Sequence, residues 1–313
     1  MQESKNFLRR SMRALANLRK LWYNTIAYGR TEGRAMQKFL TDVHTHSTYS
    51  FDGQSALADM LETARAKGLA FYGVSEHFDY AYLLGGWAEV MTDAERYFHG
   101  ARHLQEDYEG CMNVLIGAEF GYTDDARAYA YYKDIQEKYR PDFIVNSVHS
   151  LRENDYYDGD PFREKNEKGE VVFREKREVY KEYLGLIRKS LDAPYDYDIV
   201  GHIGYLTRYA PYEDKSMPYQ AFAAEIDEIL KTVVKKGKIL ELNASGGVDG
   251  FLPTADILKR YYALGGRKIS YASDAHAVEK VAYCRDEAVK SLKEIGFTHI
   301  TVPCKGEYIK VEL

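Results

Sequence analysis

From Phe39 onward the chain repeats one pattern. A short apolar, β-branched run is followed by a longer stretch with helical spacing, and the cycle recurs without a linker-like break. The runs are FLTDVHTH, FYGVSEH, MNVLIGAEF, DFIVNSVHS, DIVGHIG, KILELNAS and KISYASDAH, with HITVPCK and YIKVEL behind them. Intervening segments such as ALADMLETARAKG and YQAFAAEIDEILKTVVKKG close on Gly, a common helix stop. Strands that alternate with helices pair in parallel, because each helix carries the chain back to the same end of the sheet. The expectation is a single α/β barrel over residues 39–313, with an open doubly wound sheet as the competing topology. Residues 150–175 break the rhythm as a long polar insertion after the fourth strand, a length often found in functional lids.

Residues 1–38 differ in kind. They are rich in Arg and Lys, poor in acids and spaced helically, without the apolar core of a secretory signal. They read as an N-terminal helical extension that carries no chemistry. The remaining composition excludes more than it selects. A net charge of −5 gives no basic field to draw the protein onto a nucleic-acid polymer or an anionic membrane. No apolar run approaches a membrane span. Three scattered cysteines, Cys111, Cys284 and Cys304, fit reduced thiols in a cytoplasmic protein. Oligomeric state leaves no signature.

The C-terminal ends of the strands carry the chemistry. In chain order they supply His44 and His46 with Asp52 just beyond, then His77, Glu119, His149, His202, Asn243, and finally Asp274 with His276. Six of the nine histidines lie there. In a parallel barrel those ends converge on one face. Residues two apart on a strand share a side, so His44 with His46, and Asp274 with His276, can enter one cavity. A lone strand-end His is more often a hydrogen-bonded core residue than a ligand. The H-x-H and D-x-H pairs, with the others between, outweigh that reading. Converging imidazoles and carboxylates are the donors of first-row divalent metals, and this many exceed the needs of one ion. Two or three ions are expected, of Zn, Mn or Fe. His99 and His103 lack the H-E-x-x-H glutamate and read as surface residues, as does His299. Glu76 should face away from the pocket if His77 faces in. Glu241 and Asn243 share a face near the cavity, where they can support ligands.

In this order, HTHSTYSFDG, SEH, GAE, VHS, GHIGYLTRY and SDAH resemble the PHP (polymerase and histidinol phosphatase) family, from about Phe39 to Cys304. The size, the run from His202 to Tyr209 and the insertion after His149 resemble its histidinol-phosphate phosphatase branch. The resemblance implies a distorted (β/α)7 TIM-like barrel with a trinuclear metal centre. It assigns His44, His46, Glu119 and Asp274 to one ion, and Glu119, His149 and His202 to a second. His77, His276 and Asp52 go to a third. Many members have His where this chain has Asp52, a change that favours harder metals. The branch often carries an acid two residues after the fifth-strand histidine, where this chain has Gly204.

The activity so implied is hydrolysis of a phosphomonoester, L-histidinol phosphate in histidine biosynthesis, by a hydroxide bridging two ions. The alternatives are another small phosphate ester or a nucleotide diester, then an amidohydrolase-type hydrolase or a non-catalytic metal-binding protein. Arg152, three residues past His149, and Arg208, six past His202, are candidates for clamping phosphate. Asp274 and His276 are candidates for proton transfer to the leaving oxygen.

Overall fold

Among the described residues, seven strands form one parallel sheet in the order in which they occur in the chain, with helices between them. A computed structural model describes residues 40–152, 154–156 and 159–313; the expected N-terminal extension lies outside the described residues. The sheet runs β1 (Leu40–Asp42), β2 (Leu69–Phe78), β3 (Asn113–Gly121), β4 (Ile144–Ser147), β9 (Ile199–Val200), β10 (Ile239–Asn243) and β11 (Ile269–Ala272). Beyond β1 and β11 the chain joins the two edges. His46 N–H donates to Ala275 O at 2.8 Å and Asp274 N–H to His44 O at 2.9 Å, with a parallel bridge between Thr45 and Ala275. The stitches that close the barrel are therefore made by the H-x-H and D-x-H segments themselves. The open-sheet alternative is excluded.

The outer helices are α1 (Leu57–Ala66), the short α2 (Tyr80–Leu84), α3 (Ala94–Asp107), α4 (Ala126–Tyr139), α5 (Lys176–Ser190), α6 (Ala223–Lys236), α7 (Ala255–Ala263) and α8 (Arg285–Ile295). Each long helix buries one stripe. In α6 this is Ile226, Ile229, Leu230 and Val233, at the helical spacing that puts them on one face. Burying such a side chain contributes about 1.5–3 kcal/mol. The interior is plugged below the site by Phe143. Its ring lies against Gly73 of β2 and Gly117 of β3, where a side chain at either position would collide with it.

A terminal hairpin, β12 (His299–Cys304) and β13 (Glu307–Glu312), lies at the end of the barrel away from the site: Lys305 N–H donates to Asp142 O, just before β4. The polar insertion is built rather than loose. It holds two hairpins, β5 (Ser150–Leu151) with β6 (Asn154–Asp155) and β7 (Arg163–Lys165) with β8 (Val171–Phe173). Cys111, Cys284 and Cys304 are free of disulfides. Among the described residues no helix is long and apolar enough to cross a membrane.

Candidate metal centre

The strand-end histidines are buried at the barrel mouth, and the carboxylates lie between them. His44, His46 and Glu119 are fully buried, His149 and His202 nearly so. Exposure rises outward through His77 and His276 to Asp52, whose side chain is 39% exposed. The cluster thus has a dry floor and a wet rim.

Glu119 occupies the middle. Its Oε2 lies 3.3 Å from His44 Nε2 and 3.5 Å from His46 Nε2. Its Oε1 lies 2.9 Å from His202 Nε2 and 3.2 Å from His149 Nε2, and accepts from Ser147 Oγ at 2.5 Å. One carboxylate thus serves two pairs of imidazoles. Asp274 Oδ1 faces the first pair, 3.3 Å from His46 Nε2 and 3.8 Å from His44 Nε2. Asp52 Oδ2 lies 3.1 Å from His276 Nε2 and 3.6 Å from His77 Nε2. His77 reaches both regions, because its Nδ1 lies 2.9 Å from Glu119 Oε2.

A set of hydrogen bonds orients the rings. His44 Nδ1–H donates to Glu241 Oε2 at 2.6 Å, His149 Nδ1–H to Asp79 Oδ1 at 2.7 Å, and His276 Nδ1–H to the Asp274 carbonyl at 3.0 Å. Each bond fixes the ring's orientation and turns Nε2 into the cluster. The support extends outward. Ser47 N–H and Oγ–H and Ser50 Oγ–H all donate to Glu76, which points away from the cavity as expected and pins the turn that carries Asp52. Asp42 accepts from Ser273 N–H and Oγ–H and from Ala282 N–H, holding the D-x-H segment. Asn243 donates to both Glu241 and Asp274.

The protonation states follow from this crowding. Burial works against charge on His44 and His149, but carboxylates outweigh it. Glu241 and Glu119 raise His44 well above the ordinary histidine range, and Asp79 and Glu119 raise His149 to about 10. Burial likewise opposes ionised Glu119, and the imidazoles of His44, His149 and His77 overcome it, holding the carboxyl well below its usual range. His46 goes the other way, to about 3, through burial and then the charge of His77 and His276. The cluster is a set of negative carboxylates that demands positive charge.

That demand tests whether divalent metal fits. Among the described residues, His44 Nε2, His46 Nε2, His77 Nδ1, His276 Nε2 and Glu119 Oε2 are buried without a hydrogen-bond partner. Leaving such a group unsatisfied costs about 1–3 kcal/mol. Five of them aimed into one cavity make a coherent donor set rather than five separate defects. Four overlapping triads bring one ligand atom from each residue within 4.8 Å: His44, His46 and Asp274; His44, Glu119 and His202; His77, Glu119 and His149; His46, His77 and His276. The residues fit divalent cations.

All nine residues expected as metal ligands are brought together. Arg208 reaches the rim, donating to Asn243 Oδ1 at 3.1 Å and lying over the Tyr205 ring. Arg152 does not join. Its guanidinium turns outward onto Glu182 of α5, with bonds of 2.8 and 2.9 Å, and is 53% exposed. The backbone explains this correction: Arg152 sits in the β5–β6 turn with φ of +55°, so the chain doubles back there. His99 is exposed on α3 beside Glu95, and His103 is exposed on the same helix. Asp79 went unread in the sequence. Its signal was present, since it stands two residues after His77 and shares that strand's inward side.

Fold and donor set together define a TIM-like barrel with a metal-binding constellation at its C-terminal mouth. The PHP domain family matches residues 42–245, and the chain belongs to that family. Among curated relatives, the chain is 28% identical over 254 residues to a probable histidinol-phosphatase of Clostridium acetobutylicum, covering 80% of this chain and 91% of that protein. It is 28% identical over 258 residues to the histidinol-phosphatase of Lactococcus lactis, covering 82% and 91%. The crystal structure of histidinol phosphate phosphatase from Lactococcus lactis, complexed with zinc, L-histidinol and phosphate, superposes with a TM-score of 0.73 at 24% identity, covering 87% of this chain and 99% of that one.

Proposed function

We propose that this protein is a metal-dependent phosphomonoesterase that hydrolyses L-histidinol phosphate to L-histidinol and phosphate. The observation that carries the reading is the position of Glu119 between two pairs of imidazoles, each pair with its Nε2 atoms facing a different carboxylate oxygen. The substrate assignment is supported by the two relatives named above, matched over nine-tenths of their length. The reading keeps the expectation of a cytoplasmic enzyme of histidine biosynthesis.

His44, His46, Glu119 and Asp274 would hold one ion, Glu119, His149 and His202 a second, and His77, His276 and Asp52 a third. Bound there, divalent ions supply Lewis acidity toward phosphoryl oxygens and make water acidic enough to yield a nucleophile near neutral pH. The chain's own residues do the rest. Glu241 and Asp79 hold two imidazoles in place. Arg208, steadied by Asn243 and Tyr205, presents a guanidinium to the phosphate. Asp274 divides its oxygens, with Oδ1 toward His44 and His46 and Oδ2 accepting from Asn243 and Ser245. In this reading Asp274 or His276 passes a proton to the leaving oxygen.

The test is phosphate release by purified protein reconstituted separately with Zn, Mn and Fe. Substrates are L-histidinol phosphate, sugar phosphates, nucleotides and a phosphodiester. Turnover of L-histidinol phosphate at least tenfold above the others is expected. Absence of release from every monoester sinks the phosphatase reading, and preference for a different monoester sinks the substrate.

A further inference from the structure

An amino alcohol such as histidinol brings cationic groups to a site whose other end must accept phosphate. The carboxylates within the metal cluster face imidazoles, and Glu241 and Asp79 anchor them. Position 204, two residues after the fifth-strand histidine, offers no acid. Gly204 has φ of +109°, a conformation strained for any side chain, and a Cβ there would lie 3.1 Å from Leu252.

Another carboxylate reaches the rim from the insertion. Asp155 on β6 is registered opposite Ser150, the residue that follows His149. Its Oδ2 accepts from the Tyr82 hydroxyl at 2.7 Å. The Tyr82 ring meets Phe51 edge-on at 5.6 Å, and Phe51 lies 6.1 Å from His77. On the other side Tyr156, next in the chain, packs 6.2 Å from Tyr205, whose ring is 5.6 Å from His149 and 4.7 Å from His202. Phe51, Tyr82, Asp155 and Tyr205 therefore line the rim beside the histidines, and Arg208 lies over the Tyr205 ring at one end of this stretch. Aromatic faces beside one carboxylate suit an organic cation, through charge on one side and ring quadrupoles on the others. They are a poor match for phosphate.

Resting on the phosphomonoesterase reading, we propose that Asp155 is the specificity-determining carboxylate that receives the cationic end of an amino-alcohol phosphate, with Phe51, Tyr82 and Tyr205 as its aromatic frame. The insertion thereby replaces the acid that position 204 lacks. Tyr82 is a positioning residue that aims the carboxylate.

The test compares L-histidinol phosphate with p-nitrophenyl phosphate, which has no cation, on the metal-loaded enzyme. Asp155→Asn should raise KM for L-histidinol phosphate about 10- to 100-fold, the worth of a hydrogen bond to a charged group, with kcat changed less than threefold and p-nitrophenyl phosphate turned over as before. Tyr82→Phe should shift the same KM by a smaller factor. Equal effects on both substrates, or no effect of Asp155→Asn on either, overturn the proposal. Should Asp155→Asn not fold, Tyr82→Phe carries the same comparison: a KM unchanged for both substrates overturns it too. If the wild type cleaves p-nitrophenyl phosphate but not L-histidinol phosphate, the substrate assignment has failed, and Asp155 is then judged on phosphoethanolamine against glycerol phosphate. Selective loss of the ammonium-bearing ester supports it, and parallel change in both overturns it.

Discussion

Asp79 accepts a hydrogen bond from His149 at 2.7 Å, and the space for its carboxylate is made by Gly121 at the end of the neighbouring strand. A methyl group at position 121 would overlap the carboxylate. The acid that orients the ring therefore follows directly on β2 and uses a vacancy on β3. Removing an outer partner of a metal-bound imidazole commonly costs about 10- to 100-fold in metal affinity or activity. Asp79→Asn should fall in that range, and Gly121→Ala should imitate it without altering a single polar group. Metal titration of the chelated protein, followed by calorimetry, measures both. Undiminished affinity in Gly121→Ala contradicts the packing argument.

Glu119 is the residue whose loss should be most damaging, because it faces both pairs of imidazoles. Glu119→Gln keeps the shape and removes the charge. It should release metal, read as ions per chain by plasma mass spectrometry. Catalysis should fall by about a thousandfold or more, since metal assistance is worth several kcal/mol. Full metal content with near-normal turnover would show that the carboxylate is an ordinary buried acid.

The two arginines should separate cleanly. Arg152→Ala removes an exposed ion pair, worth roughly 0–1 kcal/mol, and leaves Glu182 still bonded to the buried Arg174. Activity should stay within twofold and Tm should barely move. Arg208→Ala removes a charged donor at the rim and should cost about 10- to 100-fold in kcat/KM for any phosphomonoester. Phosphate product inhibition should weaken in parallel. An inactive Arg152→Ala beside an active Arg208→Ala would reverse the assignment.

This contrast also marks how far the sequence was legible. The barrel could be read because each strand is an apolar run buried on both faces and each helix shows a period, both local signals. The ligands could be read because β-strands deliver alternate residues to one side, so H-x-H and D-x-H have a direction. Arg152 could not, because its direction depends on a left-handed turn that gives no periodic signal in a polar stretch. The β7–β8 hairpin was hidden for the same reason: REKNEKGE has no alternation, although VVF behind it is a strand with exposed Val171 and Phe173. Asp155 belongs to such a segment, and only the fold brings it beside Tyr82.

Metal and protons should compete for the cluster, with a definite sign. In the metal-free fold His149 is raised from 6.5 to about 10, since Asp79 and Glu119 overcome the opposing effect of burial. A raised histidine stabilises the fold fully below its unfolded value and loses that contribution as pH climbs through the folded value. The metal-free protein should therefore lose stability between pH 6.5 and about 10 as this imidazole gives up its proton and leaves the carboxylates uncompensated. A cation replaces that charge and needs the neutral ring, so metal binding releases protons and tightens as pH rises. The gap in Tm between loaded and chelated protein should widen across this window. Calorimetry in two buffers of different ionisation enthalpy should record net proton release on metal uptake. No net proton release, with a gap that stays constant across this window, would mean that the imidazoles are already neutral in the metal-free fold.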